Sequence, residues 1–135
     1  MKSKNQQPTV IILGDSRANQ LYPGFINNKN FENETFLSIG TCDFSSITGS
    51  DVIGSPCYGE KILKQRRFID GIIEKSNSIK WAIVNLSDDM NKPSPQYIES
   101  LIQRIGFLEK IICKLLFLHL IHALDLILRL VFQRF

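Results

Sequence analysis

Val10-Ile11-Ile12-Leu13-Gly14-Asp15-Ser16 is the stretch that decides the fold. Four apolar residues, three of them Val or Ile, read as a buried strand of a parallel sheet. Gly-Asp-Ser follows, and a helical pattern starts at once with Ala18, Leu21, Tyr22 and Phe25. Strand, tight turn and helix together lift a serine hydroxyl above the edge of the sheet, where open α/β folds bind their ligands. The helix aims its first N–H groups at whatever lies beside Ser16. Gly14 allows a turn that a side chain would obstruct. The plain alternative is a strand followed by an Asp/Ser N-cap, which is common in any α/β protein.

Outward from this stretch the pattern repeats. Asn27-Asn28-Lys29-Asn30 is a turn, and Glu34 to Ile39 reads as a second strand ended by Gly40-Thr41-Cys42. Cys42 to Cys57 carries Ser45, Ser46, Gly49, Ser50, Gly54, Ser55 and Pro56, the composition of a loop. A loop of that length is usually functional or tied down. Tyr58 to Lys75 is a second helix, with Ile62, Leu63, Phe68, Ile69, Ile72 and Ile73 at helical spacing and basic residues opposite. Lys80 to Leu86 is a third strand. Ser94 caps a third helix with Pro95 at its first position. Strand and helix thus alternate three times, the mark of a parallel sheet with helices on both faces.

The last stretch, Ile111 to Phe135, is dominated by Leu, Ile and Phe and contains neither Gly nor Pro. A fourth strand near Lys114 to His119 would continue the alternation. Against it, Lys114, His122, Asp125 and Arg129 share one side of a helical wheel. The segment reads as a core helix, a strand followed by a helix, or an amphipathic segment on a membrane or partner surface; the wheel favours a helix for most of it, and the charges make it a poor bilayer span. The division read from the sequence is a polar tail at 1–8, a domain at 9–110 and an apolar segment at 111–135.

Composition sets the outer limits. The 135 residues make one domain, 44% apolar, with a net charge of +3. No basic block exceeds Arg66-Arg67, so a nucleic-acid partner is not suggested. Met1 to Pro8 lacks the apolar core of a signal peptide. A bridge between Cys42 and Cys57 would close the loop between them, yet three reduced cysteines, Cys113 included, are equally ordinary in the cytosol. Asp88-Asp89 lack a third ligand nearby and read as a solvated loop, so no metal is expected.

With Ser16, Gly40 and Asn85 in place, the chain resembles the SGNH (GDSL-like) hydrolase superfamily. More narrowly, it is similar to the extracytoplasmic SGNH domain that follows the membrane portion of bacterial acyltransferase family 3 proteins. The carrying residues are Val10 to Phe25, with Gly-Thr-Cys at 40–42 and Ser-Pro-Cys at 55–57 matching that family's cysteine-bounded loop. The likeness covers about residues 9 to 110. It implies an α/β fold, a three-layer α/β/α sandwich of the flavodoxin-like kind with a mostly parallel sheet. Here that sandwich would be incomplete, truncated at its C-terminus and ending in the apolar helix.

The resemblance also implies a serine that moves an acetyl group onto or off a surface glycan, without a cofactor. Ser16 would be the nucleophile, and Gly14 and Asp15 would shape its turn. The backbone N–H groups of Ser16 and Gly40 and the side chain of Asn85 would form the oxyanion hole. A serine is a weak nucleophile without a base, and one lost oxyanion donor costs roughly 10²–10³ in rate. The implied partners are an acyl ester or glycan and a membrane or transmembrane acyltransferase. The implied place is the periplasmic or extracytoplasmic side of a membrane, if the chain is part of a longer protein. The lack of a signal peptide suits the cytoplasm as well.

Two departures stand out. Arg17 occupies a position where that family commonly has His. The superfamily's base lies in an Asp-x-x-His motif, and this chain contains none. Its histidines are His119 and His122, with Asp125 three residues after His122 in the reverse order. His122 is the remaining candidate base, though such a pair is more often structural. Gly40 and Asn85 have the plain alternative of serving turns. The sequence therefore predicts an SGNH-type acyl-transfer or ester-hydrolysing domain impaired by a missing base. The alternative is a non-catalytic remnant or binding module held to a membrane or partner by its apolar tail.

Overall fold

The computed structural model describes residues 7–40, 42, 53–85 and 95–112, and the backbone of 114–118. Four strands form one sheet: β1 (Val10–Leu13), β2 (Phe36–Ile39), β3 (Trp81–Asn85) and β4 (Lys114–Leu118). Their order across the sheet is β2-β1-β3-β4, and every pairing is parallel. Helices α1 (Ser16–Ile26), α2 (Lys61–Lys75) and α3 (Pro95–Ile111) connect them. The chain is thus a mixed α/β fold.

Alternation along the strands sorts side chains to two faces. Val10 and Ile12 of β1, Phe36 of β2 and Ile83 of β3 face α1, where Ala18 and Tyr22 meet them. Phe25, Phe31 and Phe36 close that side, with ring centroids 5.6 to 5.8 Å apart. Ile11, Leu13, Ala82 and Val84 face the other way, against Ile73 of α2 and Leu101, Ile105 and Leu108 of α3. All four residues of β1 are buried, as a central strand covered on both faces requires.

Two polar links tie the outer elements to this core. Arg104, on the apolar stripe of α3, is 3% exposed and reaches Asp70 of α2 with Nη1–Oδ1 at 2.8 Å. Burial and the nearby Arg104 charge hold the Arg66 guanidinium below its ordinary pKa, with Asp70 opposing. At the amino end of the sheet, the Thr9 carbonyl accepts the N–H groups of Lys80 and Trp81, while the Thr9 N–H donates to Thr35.

At its start the last stretch takes the strand alternative over the helix. Lys114–Leu118 is not helical but is strand β4, paired with β3 from Trp81↔Lys114 to Asn85↔Leu118. A short apolar run without Gly or Pro carries no decisive period of its own, and a free strand edge settles its conformation. The sheet therefore continues past residue 110. Residues 119–135, including the helix expected there, lie outside the described residues. Two smaller differences concern α2. It starts at Lys61 rather than Tyr58, and Phe68 of its expected apolar stripe is 66% exposed.

Candidate active site

Sheet register builds the site. Leu13 is abreast of Ile39 on one side and Val84 on the other. One residue further on, Gly40, Gly14 and Asn85 form the next row, at the carboxyl ends of β2, β1 and β3. The chain leaves β1 for β2 on one side, and β3 lies on the other. This reversal of strand order is the point at which open α/β sheets bind ligands.

By alternation this row faces α1. Two of its three members have no side chain, and α1 descends into the space so cleared. A Cβ added at Gly14 would lie 2.6 Å from the Asn85 carbonyl oxygen and 2.9 Å from Ala18 Cβ. Gly14 also has φ +151°, a region glycine alone adopts readily. A Cβ added at Gly40 would overlap the Gly14 carbonyl oxygen and stand 3.0 Å from that of Asp15. The two glycines let three backbones meet at van der Waals distance beneath the turn.

Ser16 is the first residue of α1 and is exposed. The first N–H groups of a helix have no partner within it. Asp15, the N-cap, accepts that of Arg17 on Oδ1 at 2.9 Å, and its carbonyl accepts that of Ala18 at 3.1 Å. Asp15 thus holds the turn through Arg17 and Ala18, and Ser16 follows it directly at the helix's positive end. Asn85 is 2% exposed, and among the described residues neither its amide nitrogen nor its amide oxygen has a hydrogen-bond partner. A buried amide in that condition costs about 1–3 kcal/mol.

Asn19, which sequence reasoning passed over, joins the helix to the end of β2. Its Nδ2 donates to the Gly40 carbonyl at 2.5 Å. Its Oδ1 accepts from Ser38 Oγ at 2.9 Å. Two residues beyond Gly40, Cys42 is in a disulfide with Cys57, with the Cα atoms 5.7 Å apart. Gln65 of α2 fastens this loop by donating from Nε2 to the Pro56 carbonyl at 3.1 Å.

The structure therefore brings Ser16, Gly14, Asp15, Gly40 and Asn85 to one end of the sheet. His119, His122 and Asp125 lie outside the described residues, as do Asp88 and Asp89. Among the described residues no three His, Cys, Asp or Glu side chains gather as metal ligands, and no helix is long and apolar enough to cross a membrane. Comparisons of the chain with protein-family models, with curated proteins and with solved structures found no match.

Proposed function

We propose that this chain is an SGNH-type domain whose chemistry is serine-based acyl transfer or ester hydrolysis. The fold would be that superfamily's three-layer sandwich, and the substrate an O-acyl group on a surface glycan. The observation that carries the reading is the row Gly40–Gly14–Asn85 beneath an exposed Ser16. It sets a hydroxyl at a helix N-terminus at the same end of the sheet as a buried amide that has no partner among the described residues. In this reading Ser16 Oγ attacks the acyl carbonyl and the carbonyl oxygen becomes an anion. The N–H groups of Ser16 and Gly40 and the amide of Asn85 stabilise it. The ester C–O bond then breaks, the alcohol leaves with a proton, and water or an acceptor hydroxyl removes the acyl group from Ser16.

The Ser16 proton needs an acceptor, and the chain has no Asp-x-x-His to supply one. That absence favours a second reading, a binding module that keeps the groove without turnover, its apolar 111–135 segment engaging a membrane or a membrane-bound acyltransferase. One experiment separates the two. The protein and its Ser16→Ala variant are incubated with a fluorescent alkyl phosphonate and, separately, with a chromogenic acetyl ester. The enzyme reading expects a covalent adduct on Ser16, slow release of chromophore, and loss of both in the variant. Equal behaviour of the two proteins removes the serine from the chemistry and leaves the binding module.

A further inference from the structure

We propose that Asn19 is a positioning residue that fixes the Gly40 end of the oxyanion hole from the nucleophile's own helix. The proposal rests on the serine reading above. Gly40 has no side chain, so its backbone is free to turn unless something outside it intervenes. Asn19 supplies that constraint with both ends of one amide. Nδ2 holds the Gly40 carbonyl at 2.5 Å, and Oδ1 is itself held by Ser38 Oγ at 2.9 Å. Ser38 is buried and faces α1, so the amide cannot swing without giving up this buried hydrogen bond.

Asn19 stands one helical turn after Ser16, which puts nucleophile and clamp on the same rigid segment. Movement of α1 therefore carries Gly40 with it, and the spacing between Ser16 and the Gly40 N–H is preserved. Donors fixed before the reaction need no reorganisation when charge develops on the carbonyl oxygen. Steric contact confines Gly40 through the Gly14 and Asp15 carbonyls. The hydrogen bond from Asn19 holds the peptide that follows Gly40, and so restrains rotation about the Gly40 Cα that separates the Gly40 carbonyl from the Gly40 N–H.

The test uses Asn19→Asp, which keeps an acceptor for Ser38 but sets a carboxylate oxygen against the Gly40 carbonyl. Ser38→Ala is the second variant, which frees the far end of the amide. Phosphonate labelling of Ser16 is followed against concentration, and the Gly40 amide resonance is recorded by ¹H–¹⁵N spectroscopy. A misplacement of an ångström near the chemistry costs on the order of 10² in rate. We therefore expect the maximal labelling rate of Asn19→Asp to fall about tenfold to a hundredfold. The half-saturating phosphonate concentration should not change, and the Gly40 resonance should shift. Ser38→Ala should show the same pattern, more weakly, and it decides the matter if Asn19→Asp does not fold. Labelling at the wild-type rate in a folded variant overturns the role of Asn19 while leaving Ser16 as nucleophile. Absence of labelling in the wild type overturns the serine reading itself, and the role of Asn19 with it.

Discussion

At the scale of single residues, Asn85 is the most informative side chain. Strand β3 buries Ala82, Ile83 and Val84 and then, at its last position, an amide without a partner among the described residues. Replacing such a group by an apolar one of similar shape removes a desolvation cost. Asn85→Leu is therefore expected to unfold at higher urea, with a gain of about 1–2 kcal/mol, while losing phosphonate labelling of Ser16. A loss of stability in that variant would mean that the amide is satisfied in the folded chain, and the oxyanion role would fall. Gly-Asp-Ser and the terminal Asn of an apolar strand stand out in a sequence because their types clash with their neighbours. Asn19 does not stand out. A polar residue in the first turns of an amphipathic helix looks like any solvated position until the strand beside it is known. Its only sequence signal is its place one turn beyond Ser16.

At the scale of elements, α2 and α3 are joined by more than apolar contact. Arg104 lies between Leu101, Ile105 and Leu108 on the buried stripe, and Asp70 is the carboxylate it meets. Removing the carboxylate from beside a buried guanidinium is destabilising, and Asp70 also opposes the effect of Arg104 on Arg66. Asp70→Ala is expected to cost about 2–4 kcal/mol. The double variant Asp70→Ala/Arg104→Met should recover most of that loss in denaturant unfolding, and strict additivity of the two changes would count against the coupling. The alternation of strands and helices was legible because each element keeps its own apolar period and is bounded by turn residues such as Asn27-Asn28 and Ser76-Asn77. The alternation also called for a strand near Lys114 to His119, where β4 lies, but Lys114–Leu118 is too short to show a period and its neighbours continue the apolar run, so the strand was not separable from a helix. Phe68 misled for a related reason. It fits the spacing of the α2 stripe, but it is exposed, while Ile62 and Ile73 of the same stripe are buried.

At the scale of the whole molecule, the connection after β2 is long and is closed by Cys42–Cys57, with a sequence separation of 15. Cross-linking a loop of this size removes about 3 kcal/mol of unfolded-chain entropy. Thermal unfolding with and without a phosphine reductant should differ accordingly, and Cys42→Ser/Cys57→Ser should match the reduced protein. An unchanged midpoint would show that the bridge adds nothing to the fold. The all-parallel sheet has a further consequence, for how the chain comes to be folded at all. Parallel neighbours cannot be made by hairpins, so Val10 must find both Phe36 and Trp81 across long intervening segments. Such non-local pairing slows folding. During synthesis β1 emerges from the ribosome before either of its neighbours and waits, uncovered, for flanks made later. That interval is when the nascent polypeptide is most exposed to aggregation and most in need of a chaperone.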